Sequence, residues 1–156
     1  MAFPVRKSLR IKNYDYSSDG YYFVTICTKN KEKHFGEISA SNQMCYSKNG
    51  LIAKKHICNI QRHYDNVRID RYVIMPNHIH MIVVIGCSGI NSGDDNPTLS
   101  NVVGLFKSGV TREIGFSVWQ RLFHEHIIRN ETSYMRISEY IENNPALWRK
   151  DRFYVW

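Results

Sequence analysis

The chain has no Cys-x-x-Cys pair among its four cysteines, Cys27, Cys45, Cys58 and Cys87. The paired-thiol signature of redox and zinc motifs is therefore missing. Its first ten residues, MAFPVRKSLR, contain no apolar h-region, so no secretory signal is expected, and free thiols in a reducing cytosol are. The longest apolar stretch, Ile79 to Ile85, is strand-sized. That excludes a membrane-spanning helix and a membrane partner. Internal repeats are absent, and so is any acid before Asp15.

What is present fits one globular domain over residues 1–156. Hydrophobic residues make up 43% and charged residues 22% of the 156, enough apolar material for a core and too much for a disordered chain. Aromatics reach 13%, with ten tyrosines, a surplus suited to packing and to contact with flat ligands such as bases. Lys and Arg outnumber Asp and Glu, 21 to 14, for a formal charge of +7. That balance favours a polyanionic partner. Arg6, Lys7, Arg10 and Lys12 concentrate it in an N-terminal arm of about thirteen residues, either a solvated terminus or an arm that meets phosphates. Residues 86–97, rich in Gly, Ser, Asn and Asp, are expected to form a flexible loop inside the domain.

Periodicity sets the elements. Residues 21–27 are β-branched and aromatic and predict a strand, with a weaker one over 35–38. Ala53, Ile57, Ile60 and Tyr64 form the apolar stripe of a helix over 51–64. Residues 71–75 and 78–85 predict an antiparallel hairpin turning at Pro76-Asn77. Asn96-Pro97-Thr98 opens a second helix carrying Leu99, Val102, Val103 and Phe106 on its inner face. Residues 116–119 and 123–128 look extended. Asn130 or Thr132 caps a last helix that Pro145 stops. The order predicts an α+β fold of ferredoxin-like, split βαβ type, an antiparallel sheet with helices packed on one face.

The main chemical signal is Asn77-His78-Ile79-His80-Met81. Side chains alternate along a strand, so His78 and His80 share a face, roughly 7 Å apart at Cα. Ile79, Met81, Val83 and Ile85 take the core face. A bare His-x-His is also compatible with polar residues on a solvent-facing strand. Two imidazoles leave a metal site incomplete, and mixed nitrogen and oxygen ligands would suit Mg2+ or Mn2+ bound together with a phosphate.

These residues resemble a family. Tyr72-Val-Ile-Met-Pro-Asn-His-Ile-His-Met-Ile-Val83 is similar to the HUH motif of single-tyrosine insertion-sequence transposases. Trp119-Gln-Arg-Leu-Phe-His-Glu-His-Ile-Ile-Arg-Asn130 and Tyr140-Ile-Glu-Asn-Asn-Pro145 resemble two further blocks of its branch of REP-associated tyrosine transposases. The blocks occur in order over nearly the whole chain. The resemblance implies a metal-dependent DNA endonuclease that cleaves and rejoins single-stranded DNA beside hairpins. It implies a 5′-phosphotyrosine link, no nucleotide cofactor, association with the nucleoid when bound to DNA, and either a monomer or a homodimer. It assigns the nucleophile to Tyr140, the metal to His78 and His80, and a further ligand to Asn144.

The residues themselves add detail. Tyr134, Ile137 and Ile141 share the core face of the last helix, whereas Tyr140 and Asn144 lie on its flank. Packing alone is also consistent with Tyr140, and a helix C-cap with Asn144. Lys107, Arg121 and Arg129 are candidate phosphate contacts, and Glu125 and His126 are candidates for holding an imidazole in place. The rival expectations are a non-catalytic domain that binds single strands on its sheet and a nuclease that uses water.

Overall fold

The computed structural model describes residues 20–86 and 96–155. The N-terminal arm and most of the 86–97 loop lie outside the described residues. In chain order the elements are β1 (Gly20–Cys27), β2 (Gly36–Ile38), β3 (Met44–Tyr46), α1 (Lys48–His63), β4 (Val67–Met75), β5 (His78–Ile85), α2 (Leu99–Ile114), β6 (His124–Ile128) and α3 (Glu131–Asn143). A short 3-10 helix follows over Pro145–Lys150. The main sheet has four strands in the order β4-β5-β1-β6, all neighbours antiparallel. Setting aside the β2–β3 ribbon, β1-α1-β4 and β5-α2-β6 are two interleaved βαβ units, which is the ferredoxin-like arrangement expected from the sequence.

Local signals position each helix. The Ser47 side chain accepts from Gly50 N at 3.1 Å and starts α1, one turn earlier than the apolar stripe suggests. Gly50 is required there, because a Cβ would sit 2.1 Å from the Phe35 carbonyl oxygen. Thr98 and Asn101 form a reciprocal capping box at the start of α2. Gly115, at φ 104°, ends that helix in the left-handed region. Asn130 caps α3 through Ser133 N at 2.8 Å. The hairpin turns at Pro76-Asn77, between the paired Met75 and His78.

The sheet separates two layers. On one face Tyr22, Val24, Ile26, Ile79, Met81, Val83 and Ile85 pack with Ile57 and Ile60 of α1 and Val102, Phe106 and Val110 of α2. This is the main core. On the other face Phe23, Ile82 and Val84 pack with Ile137 and Ile141 of α3. Helices on one face therefore describes α1 and α2. The third helix crosses the opposite face, because its apolar stripe of Tyr134, Ile137 and Ile141 fits the second set of alternating strand residues. Residues 116–119 form no strand; only Trp119 bridges to Thr28.

A register shift between Ile69 and Arg71 leaves Asp70 unpaired in the β4–β5 ladder. The bulge aims its carboxylate at α3, where it accepts from Tyr134 Oη and also from Arg68. This polar clamp ties the edge of the sheet to the helix that carries Tyr140.

Candidate metal and nucleophile site

His78 and His80 stand on the α3 face of β5, 0% and 2% exposed. Their ring centroids are 4.7 Å apart. Each ring is held from behind through Nδ1. The Asn77 amide nitrogen donates to the carbonyls of Phe153 at 2.7 Å and Lys31 at 3.2 Å. Its oxygen is thereby left to face His78 Nδ1 at 2.8 Å. Nδ1 of His78 is then the donor to that oxygen, and Nε2 is the nitrogen left open to a further partner. His80 Nδ1 meets Thr25 Oγ1 at 2.8 Å, and Thr25 is its cross-strand partner on β1. Burial, then the nearby charges of His78 and Arg152, push the His80 pKa well below its ordinary value, so its ring is neutral. Both Nε2 atoms are buried without a hydrogen-bond partner.

The segment after α3 supplies what the strand lacks. Asp151 Oδ2 lies 3.5 Å from His78 Nε2, with its side chain 5% exposed. The other carboxylate oxygen accepts from Phe153 N at 2.8 Å. Burial opposes ionisation of Asp151, but His78, the Phe153 amide and Arg152 outweigh it and hold the carboxyl below the usual range. One ligand atom from each of His78, His80 and Asp151 lies within 4.8 Å of the others. Phe153 packs on His78 at 4.4 Å between ring centroids and closes the group from outside.

Tyr140 reaches the same place from α3. Its ring centroid is 5.2 Å from that of His80 and 6.1 Å from that of Phe23, and the residue is 42% exposed. Asn144 lies one turn on. Its amide nitrogen donates to the Tyr140 carbonyl at 3.1 Å, and its Oδ1 is buried without a partner. The His78 and His80 Nε2 atoms and the Asp151 carboxylate form a donor set that fits a divalent cation, and Asn144 Oδ1 is a further hard oxygen on a residue that lines the same cavity as His80 and Asp151. Burial raises the Tyr140 pKa, so the phenol stays protonated until a positive charge favours the phenolate.

The other candidates fall elsewhere. Glu125 pairs with Val24 on the α1–α2 face of the sheet. It is corrected from an imidazole support, because the pleat turns it away from both histidines. His126 is on the α3 face but opposite Phe23. His124 is the β6 residue level with Thr25 and His80. Lys107 Nζ donates to the carbonyls of Gln120 at 2.8 Å and Arg121 at 3.3 Å, which anchors the loop before β6. Arg121 and Arg129 are exposed and stand outside the cavity beside Tyr140. Arg6, Lys7, Arg10 and Lys12 lie outside the described residues. The sequence reading missed Asp151, Thr25 and the Asn77 side chain. The signal for Asp151, a lone carboxylate among Arg149, Lys150 and Arg152, lay past the proline that ends the last recognised block.

A ferredoxin-like sheet carrying a His-x-His pair beneath a tyrosine-bearing helix defines the class. The fold is shared with a solved REP-associated tyrosine transposase bound to a REP hairpin, with a TM-score of 0.65 and 24% identity over 88% of this chain and 72% of that one. It is also shared with a proposed transposase from Deinococcus radiodurans, with a TM-score of 0.51 and 14% identity over 86% of this chain and 95% of that one. The fold thus bears out the resemblance carried by the motifs. No family model matches the chain. A Haemophilus influenzae protein described as uncharacterized is 43% identical over 170 residues, spanning 96% of this chain and 93% of its own. The chain belongs to the same family as that protein. Among the described residues, no helix is long and apolar enough to cross a membrane.

Proposed function

We propose that the protein cleaves and rejoins single-stranded DNA next to hairpins, through a covalent 5′-phosphotyrosine link, with a divalent metal held by His78, His80 and Asp151 and completed by Asn144. The observation that carries this reading is the pair of buried Nε2 atoms, both without a hydrogen-bond partner and grouped with the Asp151 carboxylate, with their rings pinned through Nδ1 and Tyr140 beside them. Leaving such groups unsatisfied costs about 1–3 kcal/mol each, and a cation removes that cost. The oxygen-rich remainder of the set favours Mg2+ or Mn2+ over a thiolate-seeking ion. Bound there, the ion would draw charge from the scissile phosphate and favour the Tyr140 phenolate.

The chain's own groups then have distinct tasks. Tyr140 Oη attacks phosphorus, and the P–O3′ bond breaks as the P–Oη bond forms. The phenol gives up its proton as it attacks, and the electron pair leaves on the 3′ oxygen, which takes up a proton and becomes the free 3′-hydroxyl, so no net proton is gained or lost. The new ester keeps the energy of the diester, so attack by a 3′-hydroxyl reverses the step without ATP. Thr25 and Asn77 hold the imidazoles, and Phe153 keeps water off His78. Tyr140 and both histidines meet within one chain, which supports a reading in which the groups of one copy act together, as a monomer or within a homodimer. The partner is DNA, and the setting is the bacterial cytoplasm.

The test uses a labelled hairpin oligonucleotide with single-stranded flanks and Mn2+, resolved on a denaturing gel. Wild type gives a slow-migrating covalent adduct, and Tyr140→Phe gives none while still binding. Cleavage that survives Tyr140→Phe would make the protein a water-using nuclease. Binding without cleavage by wild type under every metal tried would leave a non-catalytic binding domain.

A further inference from the structure

A cavity of about 480 Å3 opens beside Tyr140, between the sheet, α3 and the segment that follows it. Its floor is Phe23, Thr25 and His80, and its walls include Ile137, Leu147 and Phe153. That volume lies within the range of about 300–1,000 Å3 typical of small-ligand pockets. Tyr140 is among its lining residues, so the cavity is continuous with the proposed nucleophile. The walls are apolar or aromatic on one side and cationic at the mouth, together with Asn144 and the Asp151 carboxylate of the proposed metal group.

The cations have a regular placement. Arg136 and Tyr140 on α3 and Asn144 at its C-cap follow at intervals of four, which stacks them as one column along the flank facing the cavity. Lys150 and Arg152 come from the opposite rim, in the segment after Pro145. Arg136 and Lys150 form no ion pair among the described residues. Leu147 is also unexpected at that rim, an apolar side chain 48% exposed at the mouth of a charged pocket. A ligand that is flat and apolar at one end and anionic at the other matches this lining.

We propose that the cavity is a subsite for one unpaired nucleotide flanking the scissile phosphate. Its base rests against Leu147, Ile137 and Phe153, and its phosphate is held by Arg136 and Lys150. This rests on the proposed single-strand cleavage and adds what the site reads: one splayed-out base next to the bond broken. Arg136 then acts as a positioning residue, fixing the strand one helical turn from the attacking oxygen. The cavity selects single strands, because a paired base is held in its stack and cannot enter.

The test does not depend on cleavage. Full-length protein with labelled Ile and Leu methyl groups is titrated by NMR with each common deoxynucleoside 5′-monophosphate, and with deoxyribose 5-phosphate as the baseless control. The expected result is saturable shifts of the Leu147 and Ile137 methyls with the nucleotides, at an affinity about tenfold above the control. Arg136→Ala weakens binding of nucleotide and control alike, whereas Leu147→Ala weakens only the nucleotide. Equal binding of nucleotide and baseless phosphate overturns the base subsite. Shifts confined to other surfaces, with folded spectra, overturn the cavity as the locus. The covalent-adduct assay reports on the cleavage reading separately, so either can fail alone.

Discussion

Thr25→Val probes the arrangement that, under the proposed reading, would make His80 a metal ligand. Thr25 is 1% exposed and directly opposite His80 in the β1–β5 register. Valine keeps the shape and β-branching and deletes only the oxygen that meets His80 Nδ1 at 2.8 Å. Without it, nothing selects the tautomer with its lone pair on Nε2, and the ring is free to turn. Loss of such an outer contact lowers metal affinity by about 10–100-fold, or about 1.4–2.7 kcal/mol. The same change leaves a buried Nδ1 without a partner in metal-free protein, at a cost of about 1–3 kcal/mol. For a domain of this size that lowers Tm by a few degrees, at about 2–4 °C per kcal/mol. Calorimetric titration with Mn2+ gives the affinity, and thermal unfolding in chelator gives the stability. Thr25→Ser, which restores a hydroxyl, should recover most of both. If Thr25→Val binds Mn2+ as tightly as wild type, the hydroxyl does not hold the ring and the ligand assignment of His80 Nε2 loses its support.

Asp151→Asn keeps the shape of the side chain and removes its charge, so Mn2+ affinity should drop about tenfold or more with the metal-free fold intact; unchanged affinity by calorimetry would take Asp151 out of the ligand set. Cys27 is buried, and burial above all raises its thiol pKa to about 11, so it should resist alkylation at pH 8 in folded protein. The exposed Cys45 and Cys58 should react quickly, as mass spectrometry of iodoacetamide-treated protein would show, and rapid Cys27 labelling would contradict the packing of β1. Asp70 is held below its ordinary 3.8: burial resists ionisation, but the bonds from Tyr134 and Arg68 outweigh it. Its contribution is therefore complete above pH 4 and is lost as pH falls through the depressed value. Asp70→Asn should cost about 1–2 kcal/mol at pH 7 and progressively less in acid, measured by urea unfolding at each pH; a pH-independent difference would refute the charge argument.

The legible part of this molecule was the part written in alternation. In β5 the odd positions, Ile79, Met81, Val83 and Ile85, are core, and the even positions His78 and His80 face the other way; period two shows this without coordinates. Capping chemistry likewise marked Asn96-Pro97-Thr98 and the choice of Asn130 or Thr132 as helix openings, where Thr98 and Asn130 prove to be the caps. What was not legible depended on contacts made across the fold. Ser47 caps α1, but its partners, Gly50 N and the His34 carbonyl, matter only once β2 and β3 have turned the chain back. Those strands are three residues each, too short to show a period. The α3 stripe was visible, but a stripe does not say which side of a sheet it covers. Lys107 looked like a free cation because spacing does not reveal that Nζ folds back on Gln120 and Arg121. Asp151 reaches His78 only because the 3-10 helix over Pro145–Lys150 redirects the chain.

That redirection gives the site its logic. If α3 and the following segment did not cross the second face, His78 and His80 would stand in water, with their Nε2 atoms satisfied at no cost. Covered, they are dry and without partners, an arrangement that natural cores avoid unless something else satisfies the groups. Tyr140 shows the complementary asymmetry. It is nearly half exposed, with its pKa raised by burial, so it is reachable but not activated by its surroundings. The cover thus creates a demand for positive charge at the imidazoles and beside the phenol at once. Under the proposed reading, one cation on the His78–His80–Asp151 group would meet both, and the packing that completes the fold would keep the tyrosine inactive until that cation binds.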